Sequence, residues 1–158
     1  MEPVETAKHV IDSNKYLTLG SVLDDGNPWT TPVYFTPDGY HRFYWVSNPD
    51  SVHSRNIAAR SRVRIVVFDS SVRIGGAEAV FMDAEATLVP EAELADASAL
   101  YSGRFPELRE FGVDELTAPN SLRLYRADAL NHEILVRGSD PVFGKGTDSR
   151  LLVDIPRG

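Results

Sequence analysis

HRFYWVSNPDSVHSRNIAARSRVR, residues 41–64, is the stretch that decides how this chain reads. Phe43, Tyr44, Trp45 and Val46 form an apolar, aromatic run suited to a strand. The run continues through Ser47, and Pro49-Asp50 turns the chain into a short helix over residues 51–60. His53, Ser54, Arg55 and Asn56 occupy the first two turns of that helix. Arg55, Arg60, Arg62 and Arg64 follow within ten residues. A strand that delivers a helix N-terminus beside clustered guanidinium groups suits a phosphate, because free backbone N–H groups and the helix dipole both favour an anion. The competing reading is a solvated, salt-bridged helix face.

Working outward, residues 3–14 place Val4, Ala7, Val10 and Ile11 at helical spacing, and Asn14 can end that helix. From Tyr16 the period becomes two. Residues 16–23 predict a first strand, closed by Asp24-Asp25-Gly26-Asn27, a strong hairpin signal. Residues 29–35 predict a second, which Pro37-Asp38-Gly39 turns into a third at 42–47. A fourth is expected over 63–68, and a long fifth over 77–89 after the Gly75-Gly76 corner. Pro90 opens a helix over 91–100 with acid in its first turn. A second helical piece is expected over 106–111 and a connector over 114–120. Residues 121–128 and 132–136 return to alternation, and 150–155 add a last strand. Hairpin-linked strands with peripheral helices predict a mainly β fold. The expectation is one domain over 1–158, a six- to seven-stranded antiparallel barrel with a helical excursion at about 91–120. Closure shields long apolar strands from pairing at open edges.

Across 158 residues, 23 acidic side chains oppose 16 basic ones, for a net charge of −7. That field repels nucleic acid. Cysteine is absent, which removes disulfides, thiolate nucleophiles and zinc–thiolate sites together. His9, His41, His53 and His132 show no metal-ligand spacing, so no metal is expected. No apolar run approaches the roughly 20 residues of a membrane span. MEPVETAKHV lacks the basic and apolar regions of a secretory signal, so the expectation is a cytoplasmic protein without a membrane partner. No Gly-x-Ser-x-Gly elbow supports hydrolysis, and no G-x-G-x-x-G follows a strand.

Two local features point toward a ligand. Pro32 inside an apolar strand argues for an edge, a bulge or a barrel rim, with the hydroxyls of Thr30 and Thr31 beside it. On the helix, His53, Asn56 and Arg60 share an arc about 60° wide. These polar groups need partners, which a phosphate or a sugar-alcohol chain would supply.

LGSVLDDGNPWTTPVYF (19–35), FYWVSNPDSVHSRNI (43–57) and RVRIVVFDSSV (62–72), in this order and spacing, resemble the pyridoxamine 5′-phosphate oxidase-like family of FMN-binding split barrels. The resemblance covers about residues 16–89 and, more loosely, 122–155. It implies a homodimer with FMN at the interface. Carried over by position, Thr30, Thr31, Pro32, Val33 and Tyr34 run alongside the isoalloxazine ring. Trp45, Val46 and Ser47 match the next flavin-lining strand. His53, Ser54, Arg55 and Asn56 match the phosphate-binding turn of helix, and Ser70 is implied to reach the flavin of the other protomer. The founding oxidase has an Arg-Leu-His-Asp-Arg type motif in its tail. Here Leu152 follows Arg150-Leu151, which argues against pyridoxamine phosphate oxidation.

The implied function is an FMN-dependent oxidoreductase that acts by hydride transfer on an unidentified small molecule, with no residue assigned as acid or base. Two alternatives use the same fold: a reductase dependent on the 8-hydroxy-5-deazaflavin coenzyme, and a non-catalytic flavin or haem carrier or sensor. Plainer readings stand beside several residues. Arg62 and Arg64 suit surface charges, His53 a histidine satisfied within its own turn, and Tyr44 and Trp45 the core. Trp29, Val33 and Phe35 suit core or a dimer interface.

Overall fold

A computed structural model describes residues 2–158. Its strands follow from alternation. In β1 (Tyr16–Val22) Leu17, Leu19 and Ser21 are buried, and in β5 (Arg62–Phe68) Val63, Ile65 and Val67 are. Side chains two apart share one face, so each strand sends an apolar row inward and its arginines or hydroxyls outward. A turn closed by the Leu23 amide on the Asn27 carbonyl joins β1 to β2 (Pro28–Tyr34). Gly26 takes a φ of 86° there, which a residue with a side chain rarely adopts.

The remaining elements are β3 (Thr36–Asp38), β4 (Arg42–Ser47), β6 (Ala79–Leu88), β7 (Arg123–Ala129), β8 (His132–Val136) and β9 (Ser149–Val153), with helices α1 (Pro3–Ser13), α2 (Val52–Ala59) and α3 (Leu94–Ser102). The antiparallel strand order is β2-β1-β5-β6-β7-β4-β3. The two ends of that row, β2 and β3, are separated in sequence only by Phe35. The sheet must therefore curl until its ends meet, and β2 with β3 acts as one bent strand of a six-stranded split barrel. The β6 strand changes partners along its length. Its first residues, Val80 and Phe81, pair with β8, while residues 84–88 pair with β7. The hairpin β8–β9 continues from there.

Trp45, Phe35, Phe43, Leu17, Leu19, Ile65 and Met82 fill the barrel. Ala7, Val10 and Ile11 of α1 and Ile57 of α2 join that core. A second cluster lies outside the wall, where Leu94, Ala97 and Tyr101 of α3 cover Tyr44 and Leu124. No described helix is long and apolar enough to cross a membrane.

Two expectations need correction. Residues 106–111 are not helical, and the helix ends at Ser102. The six residues from Pro106 to Phe111 are too few to offset helix nucleation without an amphipathic face to bury. Pro37 and Asp38 belong to β3, paired with Phe43 and Arg42, and the turn starts one residue later at Gly39 with a φ of 60°. The expected antiparallel barrel of six to seven strands is the one observed; the sheet counts nine segments because the chain breaks at Phe35 and β8–β9 lies beyond the barrel.

His132 tests this packing by pH. It is buried, and its Nε2 donates to the Tyr40 carbonyl at 2.6 Å. Burial pulls its imidazole below the ordinary value of 6.5, against the opposing bond to Tyr40. Burial moves His53 the same way. The unfolded chain therefore takes up these protons at higher pH than the folded one, and stability falls as pH drops below about 6.5. Urea unfolding at pH 7.5 and 5.5 checks this, and His132→Gln should flatten the acid limb. An unchanged limb would place the acid sensitivity elsewhere.

Candidate functional site

At the end of β4, Ser47 hands the chain to an Asn48-centred turn. The Asn48 side chain accepts from the Asp50 amide at 2.8 Å, and its carbonyl accepts from the Ser51 amide and hydroxyl at 3.0 and 2.7 Å. Ser51 is the N-cap of α2, and its Oγ accepts from the Ser54 amide at 3.4 Å. Ser54 itself is buried behind the cap, with its Oγ 2.8 Å from that of Ser51. Among the described residues no acceptor meets the first-turn amides of Val52 and His53. Two donors at the positive end of a helix dipole are thus left for an external anion.

The polar arc of α2 is satisfied from within, contrary to the expectation of a ligand partner. His53 Nε2 lies 2.9 Å from Ser47 Oγ and 3.4 Å from Ser51 Oγ. Asn56, a buried residue, donates from Nδ2 to Ser21 Oγ at 3.0 Å. Arg60 donates to the Val22 carbonyl and to Asp24. The arginine cluster is also divided: Arg62 meets Glu85, and Arg64 meets Asp83 and Glu133. Arg55 and Arg62 are the loosely held members, and of these Arg55 stands on α2. Its side chain is 71% exposed and stands 3.7 Å from Asp50, a contact worth little at such exposure.

β2 and β4 form the walls beside this helix start. β2 pairs only with β1, and residues 45–47 of β4 pair only with β7, so each strand presents an unpaired edge to the split. Thr31 and Val33 oppose Leu19 and Leu17 and share their inward face; Thr30, Pro32 and Tyr34 take the outer one. Tyr34 meets the rings of Tyr16, Tyr101 and Phe105, and with Val46 it packs into the α3 cluster. The helical excursion therefore covers the outer wall of the split. Trp45 and Ser47 face inward and are buried.

Ser70 is not brought to this place within one protomer. It follows Phe68, whose strand end lies near the start of β1, whereas α2 contacts the finish of β1 through Ser21 and Val22. Residues that sequence reasoning missed include Ser21 and Asp24, whose partners on α2 are more than thirty positions away and leave no local signal. Ser51 was legible, since serine just before a helical run is an N-cap signature.

An open groove of about 510 Å³ runs along the flank of α2. Leu23, Asp24 and Asp25 of the hairpin form one bank; Val52, Arg55, Asn56 and Ala59 form the other. No group of three or more metal-ligating side chains occurs among the described residues. His41 and His132 do come together, ring edge to face at 5.0 Å, but each Nε2 is bound to a carbonyl.

The family model described as pyridoxamine 5′-phosphate oxidase matches residues 4–123. Among solved structures, the chain is similar to a haem-binding protein from Mycobacterium smegmatis (TM-score 0.71, 18% identity, 96% of this chain and 58% of that one). The chain thus spans less than two thirds of that relative. An FAD-binding protein from Mesorhizobium loti gives a TM-score of 0.62 at 19% identity over 84% of this chain and 92% of that one. The haem storage protein from Vibrio cholerae gives 0.60 at 19% identity over 82% and 91%. At these identities the likeness carries the fold alone. No curated protein matches the chain.

Proposed function

The chain belongs to the pyridoxamine 5′-phosphate oxidase family, and from that premise we propose that it is an FMN-dependent oxidoreductase acting on a small molecule. The observation that carries this reading is the meeting of two unpaired strand edges, from β2 and β4, at a helix start with two free amides and an underused guanidinium. When bound, the flavin supplies hydride transfer.

The chain's own part is to bind and orient. The amides of Val52 and His53 and the side chain of Arg55 hold the phosphate, with Ser54 and Asn56 fixing the helix behind them. Ser47 holds the His53 ring, and the Thr31 hydroxyl and the backbone of β2 meet the polar edge of the ring system. A second copy of the chain completes the site as a homodimer, to which Ser70 contributes from the other subunit. A cytoplasmic location is part of the same proposal.

The substrate is not pyridoxamine phosphate. In the tail, Arg150 is stacked over the Phe81 ring at 3.7 Å, and no histidine follows Leu151. A haem carrier is the second reading, prompted by two relatives of that description. It fits less well, because the imidazoles of His41, His53 and His132 all have protein partners, and the remaining one, exposed His9, stands on α1 and not at the split. The visible spectrum of the reconstituted protein separates a flavin from a Soret band.

Arg55→Ala should weaken FMN by about 1.5–3 kcal/mol, the worth of a charge-assisted hydrogen bond. Titrating FMN into the apoprotein variant measures this. Unchanged affinity would reduce Arg55 to a surface charge and remove the phosphate site from α2.

A further inference from the structure

We propose that the cleft between the end of β6, the start of β7 and the segment over 113–118 binds a small apolar carboxylate. Its volume of about 440 Å³ lies within the usual range for small-molecule sites. Leu88, Val89, Leu94, Leu116 and Leu124 line it, and Arg123 stands among them. Val89, Leu94, Leu116 and Leu124 are buried members of the cluster under α3, whereas Leu88 at the rim is 49% exposed. Aliphatic side chains around an open cleft leave hydrocarbon against water, and an apolar guest removes that cost.

The guanidinium decides what the polar end of that guest must be. Arg123 is half-buried, and among the described residues it makes no ion pair, whereas Arg126 on the same strand is paired with Glu93. Its Nη1 donates to the carbonyls of Asn120 and Leu122, which holds the side chain in place. Nε and Nη2 meet no acceptor among the described residues. Their N–H groups run parallel and match the two oxygens of one carboxylate. A cation drawn partly out of water among leucines is stabilised by such a partner. Glu91, exposed in the same lining, makes no ion pair among the described residues and offers a partner to an α-ammonium. A plain acid and an apolar amino acid therefore share this chemistry. The β4–β7 register sets Arg123 opposite Ser47, one strand from the split, so the cleft stands apart from the phosphate site and needs no flavin.

Isocaproate, leucine and isohexanol carry one apolar body with different polar ends. Each is titrated into the isotope-labelled protein while the amide resonances of Val89 and Leu124 are followed. Isocaproate should shift both amides and bind at least about tenfold more tightly than isohexanol, the worth of the charged contact. Arg123→Gln should erase that advantage and leave the affinity for the alcohol unchanged. Leu88→Asn, at an exposed rim position outside the barrel core, should weaken acid and alcohol together. Leucine binding more tightly than isocaproate, with the gain lost in Glu91→Gln, makes an amino acid the occupant; weaker binding of leucine makes it a plain acid. Both results keep the carboxylate site. Equal affinities for acid and alcohol in the wild type overturn it, and so does acid binding that ignores both Arg123→Gln and Leu88→Asn. Unshifted amides at millimolar isocaproate overturn it as well.

Discussion

Trp45→Ala should lower the free energy of unfolding by about 3–5 kcal/mol, the cost of emptying a large aromatic site in a packed core. Domains of this size hold roughly 5–15 kcal/mol in total, so a large share of the stability is lost. The indole is fully buried on the inward face of β4, beside Phe43 and stacked on Tyr125 with ring centroids 6.1 Å apart. Its Nε1 has no acceptor. This last fact makes the expectation specific. Trp45→Phe sacrifices no hydrogen bond and removes a donor that is already desolvated, so it should cost only about 1–2 kcal/mol. Urea titrations of both variants decide the matter. Equal costs for the two would mean that the indole N–H matters, through a water or a ligand group. Loss of flavin affinity in Trp45→Phe at unchanged stability would assign the ring to the cofactor instead.

The elements that carry their own instructions were legible in the sequence. Ser51 caps α2 and Arg60 ends it, so the helix expected over 51–60 is the one observed. Alternation located β1, β7 and β8, each with one face in the core, whereas β4, buried on both faces, was legible as an apolar aromatic run. The bend at Phe35 was not legible. No glycine or turn dipeptide marks it, since tertiary contacts make the bend: Phe35 is fully buried, and its amide donates to the Lys15 carbonyl.

The candidate site divides along the same line. That a turn and a capped helix start follow β4 can be read locally. That Asn56 and Arg60 are already satisfied cannot, because Ser21, Val22 and Asp24 reach them from a hairpin more than thirty positions away, whereas the partners of His53, Ser47 and Ser51, lie within its own stretch. The fold turns a cluster of four arginines into separate ion pairs, of which those of Arg60 and Arg64 are close and those of Arg55 and Arg62 loose.

Closure of the barrel depends on Arg104, and replacing it should cost about 2–4 kcal/mol. Its guanidinium donates to the carbonyls of Phe35, Ile11 and Asn14 at 2.6, 3.1 and 2.7 Å, and more weakly to that of Asp12. It also lies over the Phe35 ring at 4.6 Å and the Phe105 ring at 4.9 Å. One side chain thus ties the end of α1, the bend between β2 and β3, and the segment after α3. Arg104→Met keeps much of the stem and removes the donors, leaving partly buried carbonyls to find water. Arg104→Lys should rescue little, since three donors on a single nitrogen cannot span acceptors on separate chain segments. The readout that distinguishes a clamp at the bend from general destabilisation is amide exchange at Phe35. Its exchange should accelerate more than that of Ile65 in β5, which sits in the same core but away from the bend. Equal acceleration at both positions would mean that Arg104 supports the whole barrel and not its point of closure.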